Sequence, residues 1–212
     1  LLEERLTMGR IYMTRHGETV WNLEGRIQGH TDIDLSPHGR SQAQALSKRL
    51  SDVDFDAVYS SDLVRARETA EIIVENKSVD VHTTERLREY HKGVFEGLTV
   101  SEYKREFPEL YVASLVNDLD FAPTGGETIR ETSVRMAGFI SHLKQEHMND
   151  NVLVVGHGGS LRSAVVAILD LPLEANWKLI MNNCALSIFE VYPDNSVMAL
   201  YNDTSHMKGT IK

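Results

Sequence analysis

Apolar positions along the chain switch between short runs and stripes spaced for a helix. Residues 10–14 form a β-rich run, and 56–59 and 79–83 are two more short runs of that kind. Residues 151–155 read as one continuous apolar strand, the pattern expected when both sheet faces are covered. Between these runs the period changes. Ser36-Pro37 opens a helix, because serine can cap free amides and proline suits the first turn. Ala43, Leu46 and Leu50 give that helix its apolar stripe. Further helices are predicted over 62–75, 128–147 and 158–169. The second of these carries Val134, Ala137, Phe139 and Ile140 on or near its buried side. Two last strands are expected near 185–192 and 196–201. Strands alternating with helices predict an α/β layered domain. The stretch 98–128 has weaker periodicity and holds Tyr103, Phe107, Pro108, Tyr111, Phe121 and Pro123. It reads as helical insertions and loops over one end of the sheet.

Composition narrows this to one globular unit. The chain has 212 residues, 42% hydrophobic and 25% charged, enough to bury a sizeable core. A single domain is expected over 10–206, with 1–9 as a flexible N-terminal extension and 207–212 as a tail. The net charge of −9 argues against nucleic-acid or anionic-membrane partners. It also means that a site for an anionic substrate must gather positive charge locally. The one cysteine, Cys184, can form neither an internal disulfide nor a cysteine-based zinc site. Within Cys-Ala-Leu-Ser-Ile-Phe it reads as a buried strand residue. No apolar run is long enough to cross a bilayer. Residues 1–10 lack the basic–apolar–small order of a secretory leader, so a cytoplasmic location is expected.

Two predicted strands end in histidine followed by glycine: Thr14-Arg15-His16-Gly17-Glu18-Thr19, and Val154-Val155-Gly156-His157-Gly158-Gly159. Ligands of open α/β sheets bind at the carboxyl ends of strands, so the two histidines could face one pocket. The glycines allow sharp turns and close approach to a ligand. A third segment, Ser60 to Ala70, also leaves a strand and enters a helix, which puts Arg65 in the first turn within reach of that pocket. Guanidinium groups bind phosphate as a charged fork. Amides near Gly158 and Gly159, at a helix start, would add donors.

Arg15-His16-Gly17-Glu18-Thr19, followed by Trp21-Asn22 and Gly25-Arg26-Ile27-Gln28-Gly29, resembles the phosphate-site signature of the histidine phosphatase (phosphoglycerate mutase-like) superfamily. Further blocks stand in that family's order: Leu87-Arg88-Glu89 with Gly93 and Glu96-Gly97, then Gly125-Gly126-Glu127, Val155-Gly156-His157-Gly158, and Asn202-Asp203-Thr204-Ser205-His206. The resemblance implies a three-layer α/β/α sandwich around a mostly parallel sheet. It implies that His16 is the nucleophile, that Arg15, Arg65 and His157 surround the phosphoryl group, and that Glu89 is the general acid and base. Asn22 and the Gly158 amide become further phosphate ligands, and Gln28 and Gly29 line the substrate side. No cofactor and no metal are implied. The partner is a small phosphorylated metabolite, with a homodimer as the candidate assembly. Glu18 and Glu127 are the other carboxylates to weigh as the acid.

Other chemistries find less in the sequence. His142 and His147 are five apart and do not share a helix face, and no His-Glu-x-x-His occurs. Gly156 to Gly159 matches neither a dinucleotide motif nor a phosphate loop. A phosphoglycerate mutase is the alternative within the family. Mutases usually carry a longer basic insertion, and a Thr-Gly where this chain has Gln28-Gly29. Between 98 and 124 only Lys104 and Arg105 are basic, against Glu102, Glu106, Glu109, Asp118 and Asp120. A non-catalytic phosphate-binding relative is the alternative of another class, but such proteins typically lose the nucleophile or acid. The phosphatase branch, which includes α-ribazole phosphatases, phosphoserine phosphatases and broad-specificity phosphatases, fits best. Tyr90-His91-Lys92 and Phe95 depart from common family residues at the pocket mouth, so the natural substrate stays open.

Overall fold

A computed structural model describes residues 9–116 and 118–207. Six strands form one sheet: β1 (Gly9–Arg15), β2 (Ala57–Ser61), β3 (Val81–Thr84), β4 (Asn151–Gly156), β5 (Leu186–Tyr192) and β6 (Asn195–Asp203). Their order is β3-β2-β4-β1-β5-β6. The first four run parallel, while β5 is antiparallel to both of its neighbours, β1 and β6. The helices are α1 (Val20–Leu23), α2 (Pro37–Arg49), α3 (Val64–Val74), α4 (Val100–Glu106), α5 (Pro108–Ser114), α6 (Ile129–Glu146) and α7 (Gly158–Ile168).

The side-chain alternation of the strands produces the three layers. On β4, Val152 and Val154 join Met136, Phe139, Ile140 and Leu143 of α6 and Leu161, Ala164 and Val165 of α7 in one core. Leu153 and Val155 face the other way, into a second core with Ala43 and Leu46 of α2 and Ala66, Ala70 and Ile73 of α3. Thus β4 is apolar throughout because helices cover both its faces.

Caps and connections place the helices as the sequence suggests. Ser36 accepts from the Gly39 amide and starts α2, with Pro37 at the first helical position. Thr128 and Glu131 form a reciprocal capping box that starts α6. The weakly periodic middle does hold two short helices, α4 and α5, separated by Phe107-Pro108.

Several expectations need correction. On α6, Val134 is 70% exposed and Ala137 is also exposed. The buried stripe instead runs through Ile129, Thr132, Ser133, Met136, Phe139, Ile140 and Leu143. Cys184 is buried, but it precedes β5 rather than lying in it, with a left-handed φ of 50°. Gly9 belongs to β1, and Met207 is buried in the second core, one residue beyond each end expected for the domain. The rest of the expected extension and tail, 1–8 and 208–212, lies outside the described residues. No described helix is long and apolar enough to cross a membrane.

Candidate active site

The carboxyl ends of β1, β4 and β2 lie side by side, because β4 pairs with both of the other strands in parallel. Arg15 is paired with Gly156 at the end of the β1–β4 ladder, and the His16 amide donates to the Gly156 carbonyl at 2.9 Å. His16 and His157 therefore leave adjacent strands together. Their ring centroids are 5.1 Å apart. Both line a cavity of about 390 Å³, with Arg15, Asn22, Gln28, Arg65 and Glu89 also on its wall.

The protonation of His16 follows from its partner. Its Nδ1 lies 2.7 Å from the Gly17 carbonyl, which can only accept, so Nδ1 carries the hydrogen. Nε2 then keeps a lone pair. Burial pushes the ring's pKa well below the ordinary histidine value, and the charges of Arg15 and Arg65 push it further. The ring is held neutral and nucleophilic.

His157 takes the opposite tautomer. Arg65 Nε donates to His157 Nδ1 at 3.2 Å, and a guanidinium cannot accept. The hydrogen of His157 is therefore on Nε2, which is buried without a protein partner among the described residues. Burial, then Arg65, His16 and Arg15, keep this ring neutral as well.

Arg65 is fully buried. Its Nη2 donates to the Gly29 carbonyl at 2.7 Å and its Nη1 to the Thr31 carbonyl at 2.9 Å. Burial lowers its pKa to about 10, so it remains a cation at neutral pH. Arg15 donates to the Met181 carbonyl at 3.1 Å, and burial lowers its pKa too. Neither arginine forms an ion pair among the described residues. In a chain of net charge −9, this is a local concentration of cationic donors held by carbonyls and a histidine nitrogen rather than by carboxylates.

Glu89 reaches the cavity from the turn after β3. Its carboxylate accepts from the amides of Gly159 and Ser160, each at 2.9 Å, and from Tyr90 at 3.1 Å. The expectation that the Gly159 amide would serve phosphate is therefore corrected: it holds Glu89. Glu18 is not on the cavity wall; it accepts from the Ser36 hydroxyl at the start of α2. Glu127 does line the cavity, but it accepts from the His91 amide at 2.8 Å and from Arg135.

The remaining expected residues divide. Asn22 is on the wall, with Oδ1 accepting from the Thr19 amide. Gln28 is on the wall with Oε1 buried and unpartnered among the described residues, an acceptor available to a substrate hydroxyl or amine. Gly29 is not on the wall. It lies behind it, and a Cβ there would come within 2.0 Å of Glu96 Oε1. Its carbonyl accepts from Arg65. Gly158 also lies off this wall, against the Arg15 guanidinium and beside a smaller recess.

Sequence reasoning missed several supporting groups. Thr69, one helical turn beyond Arg65, accepts from the Gly17 amide at 3.0 Å and donates to the Arg65 carbonyl at 2.7 Å. Its place in the segment Ser60 to Ala70 was the available signal. Asn183 donates to the His16 carbonyl at 2.8 Å, and nothing local marks it. Lys92, whose ammonium sits 3.5 Å from the Tyr90 ring centroid, joins Phe95, Tyr103, Phe121 and Trp177 around the outer cavity.

A model of the histidine phosphatase superfamily (branch 1) matches residues 11–204. The chain belongs to the histidine phosphatase superfamily. One superfamily relative is phosphoglycerate mutase-like protein 4 of Arabidopsis thaliana, 36% identical over 98% of this chain and 90% of that one. Another is phosphoserine phosphatase 1 of Hydrogenobacter thermophilus, 32% identical over 94% of this chain and 95% of its own. Among solved structures, a putative α-ribazole-5′-phosphate phosphatase from Escherichia coli superposes with a TM-score of 0.86. It is 31% identical and covers 92% of this chain and 96% of its own. The phosphoglycerate mutase-like fold expected from the sequence is thus the fold observed.

Proposed function

We propose that this member of the superfamily is a phosphatase that hydrolyses phosphomonoesters of small metabolites through a phosphohistidine on His16. The observation that carries the reading is the pair of opposite tautomers: an Nε2 lone pair on His16 beside a His157 Nε2–H unpartnered among the described residues, flanked by two guanidinium groups that no described carboxylate pairs. One atom attacks phosphorus; its neighbours bind the phosphoryl oxygens.

In the first step His16 Nε2 forms a bond to phosphorus as the ester P–O bond breaks. Arg15, Arg65 and the His157 Nε2–H bind the equatorial oxygens, where charge spreads in the transition state. Glu89 gives a proton to the departing alkoxide. In the second step water attacks the phosphohistidine, Glu89 takes the water's proton, and the N–P bond breaks to release phosphate. Asn22 contributes to phosphate binding, and Gln28 meets the leaving group. The partner is a small phosphorylated metabolite. A cytoplasmic location, in keeping with a single buried cysteine, completes the reading.

Charge on the outer wall favours hydrolysis over mutase chemistry. A mutase must clamp a second anionic group. Of the basic residues lining the cavity beyond the phosphate clamp, Arg26 is already paired with Glu24 and Glu102. Among the described residues on the wall, only Lys92 is left for the task.

The test is trapping the intermediate. With p-nitrophenyl phosphate, turnover should continue in EDTA. Quenching without acid, followed by mass spectrometry, should locate phosphate on His16, and His16→Ala should abolish both turnover and labelling. Phosphate found on His157 instead would overturn the assignment.

A further inference from the structure

Glu96 takes no part in the mechanism above, yet its carboxylate sits between the two loops that position the mechanism's groups. Its side chain is only 11% exposed. Oε1 accepts from the amides of His30 at 2.9 Å and Lys92 at 3.0 Å. Oε2 accepts from the Thr31 amide at 2.8 Å and from the Thr31 hydroxyl. Two of these residues, His30 and Thr31, belong to one loop, and Lys92 belongs to the other.

The first loop, 29–31, holds both phosphate clamp and acid. The carbonyls of Gly29 and Thr31 accept the two terminal nitrogens of Arg65, whose Nε continues to His157. The His30 side chain extends the other way, and its Nε2 donates to the Glu89 carbonyl at 2.8 Å. The second loop, 89–92, begins with Glu89 itself. We propose that Glu96 is a positioning residue for both halves of the reaction, its one carboxylate coupling the loop that anchors Arg65 to the loop that carries Glu89.

The chemistry of the group suits that role. Burial opposes ionisation of Glu96, but bonds from the Thr31 hydroxyl and the amides of His30, Lys92 and Thr31 outweigh it and hold its pKa below the usual carboxylate value. Ionised, it is purely an acceptor and can receive all these donors at once. The fit also explains Gly29. A side chain there would push into Glu96 Oε1 and Cδ, at 2.0 and 2.6 Å from the added carbon. The absence of a Cβ lets the carboxylate lie against the loop backbone.

This inference rests on the phosphatase reading, and its test keeps the two apart. Glu96→Gln keeps size but turns an NH₂ toward one of the donors. Activity is expressed per site able to form trapped phosphohistidine, so loss of folded enzyme drops out. Vanadate Ki should rise, reporting Arg65. The ratio of kcat/KM for an alkyl phosphate to that for p-nitrophenyl phosphate should fall, reporting Glu89. Each change should be roughly tenfold, within the 10²-fold that a 1 Å misplacement can cost. Gly29→Ala, which displaces the same carboxylate from the other side, should shift both readouts in the same directions. His30→Phe removes the bond to the Glu89 carbonyl and the 3.9 Å approach to Glu127 but keeps the amide that Glu96 accepts, so it should shift the leaving-group ratio more than the vanadate Ki. Both readouts within twofold of wild type in Glu96→Gln and Gly29→Ala would overturn the proposal. So would a loss that appears only as a lower active fraction or melting temperature. Failure of the wild type to form phosphohistidine would instead remove the phosphatase reading.

Discussion

Arg65 and Glu89 are equally engaged with the protein, but their bonds have different consequences. Arg65 is buried with its donors directed at two carbonyls and a histidine nitrogen, so its position is fixed before substrate arrives. Preorganised charge of this kind stabilises a transition state without reorganisation during the reaction. Glu89 is held by amides at the start of α7 and by His30 at its backbone, which fixes where its carboxyl enters the cavity. An alkoxide leaves poorly without a proton, whereas p-nitrophenolate needs little help. Glu89→Gln should therefore lower the rate on alkyl phosphates by about 10²–10⁴-fold. Phosphohistidine formation from p-nitrophenyl phosphate should survive better, with a burst as water attack becomes limiting. Equal losses on both substrates and no burst would move the acid elsewhere. Glu127, which lines the cavity, would be the next carboxylate to examine.

Among elements, α2 and the loop after β1 meet backbone to backbone. A Cβ on Gly39, in the first turn of α2, would come within 2.1 Å of the Glu18 carbonyl oxygen. One on Gly17 would come within 2.5 Å of the Gly39 carbonyl oxygen. Two backbones meet here with no flexible side chain to yield. Ser36 also donates to Glu18 and caps α2, while Thr69 of α3 receives the Gly17 amide. The loop after β1 is thus clamped between the start of α2 and the middle of α3. Gly39→Ala should cost about 1–3 kcal/mol in stability by overpacking. It should also lower kcat, although Gly39 touches no substrate, because displacement of Gly17 moves the carbonyl that fixes the His16 tautomer. Chemical denaturation and phosphohistidine burst amplitude measure the two effects. An alanine variant with wild-type stability and burst would show that the loop tolerates the shift.

Across the whole molecule, the acidic chain folds around two buried neutral histidines, and this makes stability depend on pH. His16 is 2% exposed and His157 is fully buried. Burial, followed by neighbouring arginine charge, depresses both pKa values well below 6.5. In the unfolded chain each ring binds a proton at about pH 6.5, whereas the folded protein leaves them neutral. The unfolded state then binds more protons, so stability falls as pH drops through 6.5. Each ring should contribute a loss of about 1.4 kcal/mol one pH unit below its unfolded value. The melting temperature should fall between pH 7.5 and 5.5, and His16→Asn should show a smaller fall. Identical pH slopes in the two proteins would mean that His16 protonates within the fold.

The sequence by itself determined the alternation of elements, because each depends on local period and local capping. The apolar run of β4 and the Ser36-Pro37 start of α2 are both legible from a few neighbouring residues. It also determined that His16, Arg65 and His157 stand just past strand ends or at helix starts, with glycines and arginines beside them. Only the tertiary structure decided what those residues do for one another. Val134, expected on or near the buried side, is exposed, because the face of α6 that meets the sheet is set by packing against β4 and α7 rather than by hydrophobicity alone. Gly29 makes room for Glu96, a residue far along the chain. Asn183 supports the His16 backbone across a separation of 167 residues. The tautomers of His16 and His157, on which the chemistry rests, come from a carbonyl and a guanidinium placed by the fold. Local pattern reports what a segment prefers; hydrogen-bond direction, burial and pKa depend on atoms that only folding brings together.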